Sequence, residues 1–98
     1  MKQAAIIDVG SHSIRYAVGR VQDGQARMEP KRLESTHLAE GVSKTGRLGE
    51  VPMMRALWAM EAFATDAAER GVPVYAYATS AVRESENGAD FCRRAAAI

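Results

Sequence analysis

Cysteine is nearly missing from this 98-residue chain: Cys92 stands alone. Neither an intrachain disulfide nor a cysteine-rich zinc centre can therefore form, and a reducing, cytoplasmic setting is the expectation. A dominant charge sign is missing as well. Thirteen Lys and Arg against 12 Asp and Glu leave a formal +1, too little for a domain-wide basic field that holds nucleic acid or an anionic membrane. Aromatic residues make up 6%, and Trp58, Tyr75 and Tyr77 are expected in the core, not on a base-stacking platform. Long apolar runs are absent. The segment before Asp8 is too short for a signal peptide, and the uncharged stretch from Gly71 to Val82 is too short for a membrane helix. With 3 prolines and 8 glycines the chain is not collagen-like, and 47% hydrophobic residues argue against disorder. There are no internal repeats.

What is present reads as alternating short elements. Ala4 to Val9 is a short apolar run with β-branched residues, ending in Gly10-Ser11, and predicts a buried strand followed by a tight turn. Ser13 to Val21 alternates as a second strand, and Asp23-Gly24 is a strong hairpin signal. A third strand is expected within Gln25 to Leu38, at an edge or broken by Pro30. Ala39 to Gly49 reads as a long loop. Met53, Leu57, Met60, Ala64 and Ala67 then follow helical spacing with Phe63 beside them, while Arg55, Asp66 and Glu69 lie off that stripe. This predicts a helix over about residues 50–70, started by Gly49 and stopped by Gly71. Val72 to Ala78 is a further buried-strand candidate, Ala81 to Ser85 a helical turn, and Asn87 the cap of a last helix with Asp90 in its first turn. The order β-β-β-α-β-α makes a mixed sheet with helix cover. It stops on a helix where a crossover normally returns to a strand, so a chain cut short of its domain is the expectation. Marginal stability or self-association follows from a sheet edge left open, and a homodimer stays open as an alternative.

Two segments carry candidate chemistry. In Asp8-Val9-Gly10-Ser11-His12-Ser13 an acid ends a strand, Gly10 permits a tight turn, and serines sit beside backbone N–H groups that can cradle phosphate oxygens. Asp8 suits a hydrated Mg²⁺, which prefers carboxylate oxygen and keeps several waters. The plainer alternative is a hairpin turn whose Asp and Ser satisfy their own backbone. In Ala78-Thr79-Ser80-Ala81-Val82-Arg83-Glu84, Thr79 and Ser80 leave a strand for a helix start, and Arg83 offers a guanidinium fork one turn later. Here the alternative is an ordinary Ser or Thr cap with a solvated Arg83. The two segments strengthen each other, since neighbouring strand ends in an α/β sheet share a crevice. The loop from His37 to Leu48 reads either as a lid bringing His37, Lys44 and Arg47 to an anion or as a solvated connector.

These residues resemble a known family. Ala5 to Arg15, Glu40-Gly41-Val42, Thr45-Gly46-Arg47-Leu48, Phe63, Ala78 to Glu84, Asn87-Gly88 and Phe91 are similar, in order, to the exopolyphosphatase/guanosine pentaphosphate phosphohydrolase (Ppx/GppA phosphatase) family. The first motif is shared across the sugar-kinase, heat-shock-ATPase and actin superfamily; the Ala-Thr-Ser-Ala-Val-Arg-Glu segment is more specific. The resemblance implies a ribonuclease H-like, ATPase-like α/β fold that grips phosphate chains between two lobes, with residues 1–98 as the N-terminal portion of the first. It implies phosphate binding by Gly10, Ser11, His12, Ser13, Thr79, Ser80 and Arg83, and a divalent cation, Mg²⁺, at Asp8. His12 stands where Asn is usual, introducing a titratable group, and His37 and Ala39 stand where Arg and Gly are common. The glutamate that activates water and the second phosphate loop are expected beyond Ile98, so no catalytic residue is assigned here. The expected function of the parent protein is hydrolysis of terminal phosphoanhydride bonds in polyphosphate or guanosine pentaphosphate, the 98-residue chain alone being inactive. An ATP-binding kinase or ATPase of the same superfamily, or a non-catalytic phosphate-binding module, are the alternatives. The expected partners are that substrate and the remainder of its own chain.

Overall fold

Period-two alternation sets the first layer. The computed structural model describes residues 2–98, with the side chains of Ser80 and Ala81 outside the description. Strands β1 (Lys2–Val9) and β2 (Ser13–Gln22) run antiparallel, pairing Ala5 with Val18, Ile7 with Tyr16 and Val9 with Ile14. All six are buried and point to one side of the sheet. Asp23 and Gly24 both take positive φ, 53° and 74°, as a two-residue hairpin turn requires. The chain returns as β3 (Gln25–Met28), breaks around Pro30 and resumes as β4 (Arg32–Ser35). β3 pairs with the far half of β2 and β4 with its near half. The expected third strand is therefore one strand interrupted at a residue with no N–H to give.

The expected loop over 39–49 is not wholly irregular. It holds one helical turn, α1 (Val42–Thr45), bounded by Gly41 and Gly46 at φ 81° and 73°. The long helix α2 (Glu50–Glu69) follows Gly49 and buries Met53, Ala56, Leu57, Met60, Phe63 and Ala67 against the inner face of β1 and β2. The rings of Tyr16 and Phe63 stack at 4.8 Å between centroids. Beyond Gly71, β5 (Val74–Ala78) lies parallel to β1, giving the strand order β3-β2-β1-β5 with β4 also on β2. Two further helices close the chain, α3 (Ser80–Glu84) and α4 (Gly88–Ala96).

Three expectations need correction. β5 is not buried: it forms the sheet edge, with Tyr75 63% and Tyr77 56% exposed. Both tyrosines alternate onto the outer face, while α2 packs on the inner one. Trp58 is 64% exposed because it lies off the buried stripe of α2. Asn87 occupies the N-cap position of α4 but makes no capping hydrogen bond, because its amide is engaged elsewhere.

A polar cluster ties the end of α2 to the sheet. Tyr16 Oη donates to Asp66 Oδ2 at 2.7 Å, Arg32 and Arg70 lie 3.9 and 3.7 Å from the same carboxylate, and Arg70 pairs with Glu29. Burial first, then the hydrogen bond and charge of Asp66, push the Tyr16 phenol up to about 12.

Candidate phosphate site at the strand ends

Parallel pairing of β1 with β5 brings the two candidate segments together. Asp8 is opposite Tyr77 and Val9 opposite Ala78, so both strands end at the same level. Thr79 N–H donates to the Val9 carbonyl at 3.1 Å, the last rung between them. From that rung the chain enters the 10–13 turn on one side and α3 on the other.

Gly10 is required by space. Its N–H donates to the Ser13 carbonyl at 3.0 Å, and a Cβ at Gly10 would stand 2.9 Å from that oxygen. The carbonyls of the turn face the 36–39 segment: Ala39 N–H donates to Ser11 O at 3.1 Å, and Thr36 and His37 N–H both donate to His12 O, at 3.1 and 3.0 Å. A trans peptide sets its C=O and N–H on opposite sides. Tying Ser11 O to Ala39 thus turns the His12 N–H away from that segment. The Ser11 and His12 N–H groups donate to no acceptor among the described residues. Free consecutive N–H groups in a tight turn form a concavity suited to an anion.

The side chains around this turn are equally underused. Among the described residues, four buried side-chain polar atoms lack a hydrogen bond: Asp8 Oδ1, Thr79 Oγ1, Thr36 Oγ1 and Arg55 Nη2. Asp8 and Thr79 stand at strand ends, Thr36 belongs to the segment bonded to residues 11–12, and Arg55 reaches that segment from α2. Buried polar atoms are nearly always satisfied, so the unpartnered atoms of Asp8 and Thr79 on neighbouring strand ends make this the candidate ligand site. Thr79 sits at the N-cap of α3 with extended backbone but makes no side-chain capping bond. Arg83 is exposed and forms no ion pair with the described residues. Ser80 starts α3, and its side chain lies outside the described residues. Ser11 and Ser13 are half-buried and His12 is exposed. No group of three or more His, Cys, Asp or Glu is positioned for a metal among the described residues. A lone carboxylate with an unpartnered oxygen nevertheless fits Mg²⁺, which takes one or two carboxylates with waters and phosphate oxygens.

The 37–48 loop is anchored at both ends. Its first residues, at His37 and Ala39, brace the 10–13 turn. Its end is pinned to the α3–α4 corner, where Leu48 N–H donates to Asn87 Oδ1 at 2.8 Å and Asn87 Nδ2 donates to Leu48 O at 2.9 Å. Glu86 N–H donates to Gly46 O at 2.9 Å, and Arg47 pairs with Glu86 at 3.3 Å. Arg47 is thus engaged at that corner and does not reach for the anion. Gly88 completes the corner: a Cβ there would lie 1.8 Å from the Val82 carbonyl oxygen.

Sequence reasoning missed Thr36 and Arg55. Arg55 Nε donates to Thr36 O at 3.0 Å, and its Nη2 lies 3.5 Å from Glu40. Nothing in the helical pattern of α2 distinguished this arginine from a solvated one.

An open apolar groove of about 730 Å³ between α2, α4 and β5 stands apart from this chemistry, with Glu61 as its one charged lining residue. No helix among the described residues is long and apolar enough to cross a membrane.

The fold has known relatives. The family model described as the Ppx/GppA phosphatase family matches residues 17–98. A crystal structure of the Aquifex aeolicus member of the Ppx/GppA family is 31% identical with a TM-score of 0.90, covering 95% of this chain and 31% of that one. An exopolyphosphatase-like protein is 32% identical with a TM-score of 0.91, over 99% of this chain and 30% of its own. An exopolyphosphatase from Cytophaga hutchinsonii, 24% identical, shares the fold with a TM-score of 0.89 over 96% of this chain and 30% of its own. The chain spans just under a third of the length of these relatives. With the mixed sheet, its ATPase-like fold and the match over most of its length, the chain belongs to the Ppx/GppA phosphatase family.

Proposed function

We propose that this chain supplies the anion-gripping part of a site that hydrolyses the terminal phosphoanhydride bond of polyphosphate or guanosine pentaphosphate. The observation that carries the reading is the set of polar groups at the ends of β1 and β5 that have no partner among the described residues: the Ser11 and His12 N–H groups, Asp8 Oδ1, Thr79 Oγ1 and Arg83 one turn into α3. Free N–H donors and a guanidinium neutralise phosphoryl oxygens, and aim at charge that grows as the bond to the leaving phosphate breaks. Gly10 lets the backbone approach the phosphate chain, and the Ser11 and Ser13 hydroxyls add donors around it. Mg²⁺ held at Asp8 would supply neutralising charge between phosphate oxygens. In-line attack by water also needs a general base, and none of these residues is assigned that role.

Calorimetric titration of the chain with inorganic tripolyphosphate, with and without Mg²⁺, tests the reading. Tripolyphosphate should bind, Mg²⁺ should tighten it, and Asp8→Asn should remove the Mg²⁺ effect while leaving the metal-free affinity in place. No orthophosphate should be released. Equal affinity for sulfate at matched ionic strength would reduce the site to a general anion patch and overturn it.

A further inference from the structure

The free His12 N–H points outward because something holds the other side of its peptide, the Ser11 carbonyl. That brace is the 36–40 segment, whose Thr36, His37 and Ala39 N–H groups take the His12 and Ser11 carbonyls. The segment is costly to hold. His37 has φ 50°, a left-handed conformation that a non-glycine residue adopts only where its surroundings impose it. Thr36 is buried at 3% exposure with its hydroxyl unpartnered. What holds it is a side chain from another element. Arg55, on the second turn of α2, donates from Nε to Thr36 O at 3.0 Å and sets Nη2 3.5 Å from Glu40 Oε2. One planar guanidinium thereby meets both ends of the segment that contains the three braced N–H groups, by a hydrogen bond at Thr36 and an ion pair at Glu40.

We infer that Arg55 is a positioning residue for phosphate binding: through Thr36 and Glu40 it fixes the 36–40 segment, which turns the Ser11–His12 peptide so that its N–H faces the anion. This rests on the phosphate-site reading for its ligand, but its structural half stands independently. A planar fork can hold two points in fixed relation, whereas a lysine ammonium offers a single charge on a flexible stem. Arg55→Lys should therefore behave as a damaged brace, even though it keeps the charge.

The test uses the full 98-residue chain, ¹⁵N-labelled, as wild type, Arg55→Met and Arg55→Lys. Arg55→Met retains the aliphatic stem and removes the donors. The Thr36, His37 and Ala39 amides should exchange with solvent about tenfold faster, the Ser11–Ser13 amide resonances should move, and affinity for inorganic tripolyphosphate should fall about tenfold. Amides of β5 and α4 should keep their wild-type exchange, which a general loss of stability would not allow. Arg55→Lys should recover less than half of the affinity. Should Arg55→Met fail to fold, Arg55→Lys and Glu40→Gln carry the same readouts. Wild-type exchange at residues 36–39 and unmoved Ser11–Ser13 resonances in a folded variant would overturn the inference. If wild-type amides ignore tripolyphosphate, the phosphate reading falls alone, and exchange still decides whether Arg55 sets the turn.

Discussion

Replacing Asn87 by alanine should destabilise the chain well beyond the loss of a helix cap. The amide of Asn87 exchanges two hydrogen bonds with the Leu48 backbone, at 2.8 and 2.9 Å, across 39 residues of sequence. At roughly 0.5–1.5 kcal/mol for each bond, alanine costs about 2 kcal/mol, and the backbone groups of buried Leu48 are left in want of partners. For a domain of this size that corresponds to a drop of roughly 8–16 °C in Tm. Urea denaturation followed by far-UV circular dichroism gives the free energy, and an unchanged slope would show that the denatured state is not the cause. Asn87→Asp is the deciding variant. Asp caps helices as well as Asn does, so a capping role predicts full recovery. The bridge to Leu48 predicts recovery of less than half, because a carboxylate accepts from the Leu48 N–H but faces the Leu48 carbonyl with no donor. Wild-type stability for Asn87→Asp, with Asn87→Ala destabilised, would refute the bridge.

Gly88→Ala should be at least as damaging, by about 2 kcal/mol or more, since its Cβ would stand 1.8 Å from the Val82 carbonyl oxygen and the α3–α4 corner must open; a urea midpoint within error of wild type would contradict this. Gly10→Ala should weaken tripolyphosphate binding, because its Cβ would press within 2.9 Å of Ser13 O and shift the turn; calorimetry on the folded variant checks it. Tyr16 should ionise well above the ordinary phenol range, with its phenol raised to about 12. Its raised pKa means that the folded state holds a proton the unfolded state releases. The associated stability is present in full below about pH 10 and is lost as pH rises through about 12. Phenolate absorbance in a Tyr75→Phe, Tyr77→Phe background reads that transition, and ionisation near 10 would contradict the Asp66 bond.

Local pattern carried much of this fold and less of its burial. The alternation of Ile7 and Val9, the Asp23-Gly24 turn and the spacing of Met53, Leu57 and Met60 each report one element's own geometry, and each is realised. Tyr75 and Tyr77 were misplaced because burial depends on which face of β5 receives a helix, a fact that no five-residue run contains. The break at Pro30 was legible from a missing donor, whereas the α1 turn between Gly41 and Gly46 was not, because glycines signal irregularity more readily than a single helical turn. At the site, the types of Asp8, Gly10, Thr79 and Arg83 were readable, and parallel pairing of β1 with β5 brought their segments together. The brace from Arg55 was invisible in the sequence: it joins Thr36, 19 residues away, through a backbone carbonyl that any residue would provide. Asn87 shows the converse, since its cap position was correctly placed and its side chain serves a distant strand of contacts.

The central claim is that the ends of β1 and β5 form one anion site, with Arg83 as its charged side-chain contact. Titrating the ¹⁵N-labelled chain and its Arg83→Ala variant with tripolyphosphate tests it most directly. The Gly10–Ser13 and Thr79–Arg83 amides should move together with a single affinity, and Arg83→Ala should weaken that affinity by about ten- to a hundredfold without changing the Tm. Shifts confined to one segment, two separate affinities, or undiminished binding in folded Arg83→Ala would contradict the shared site.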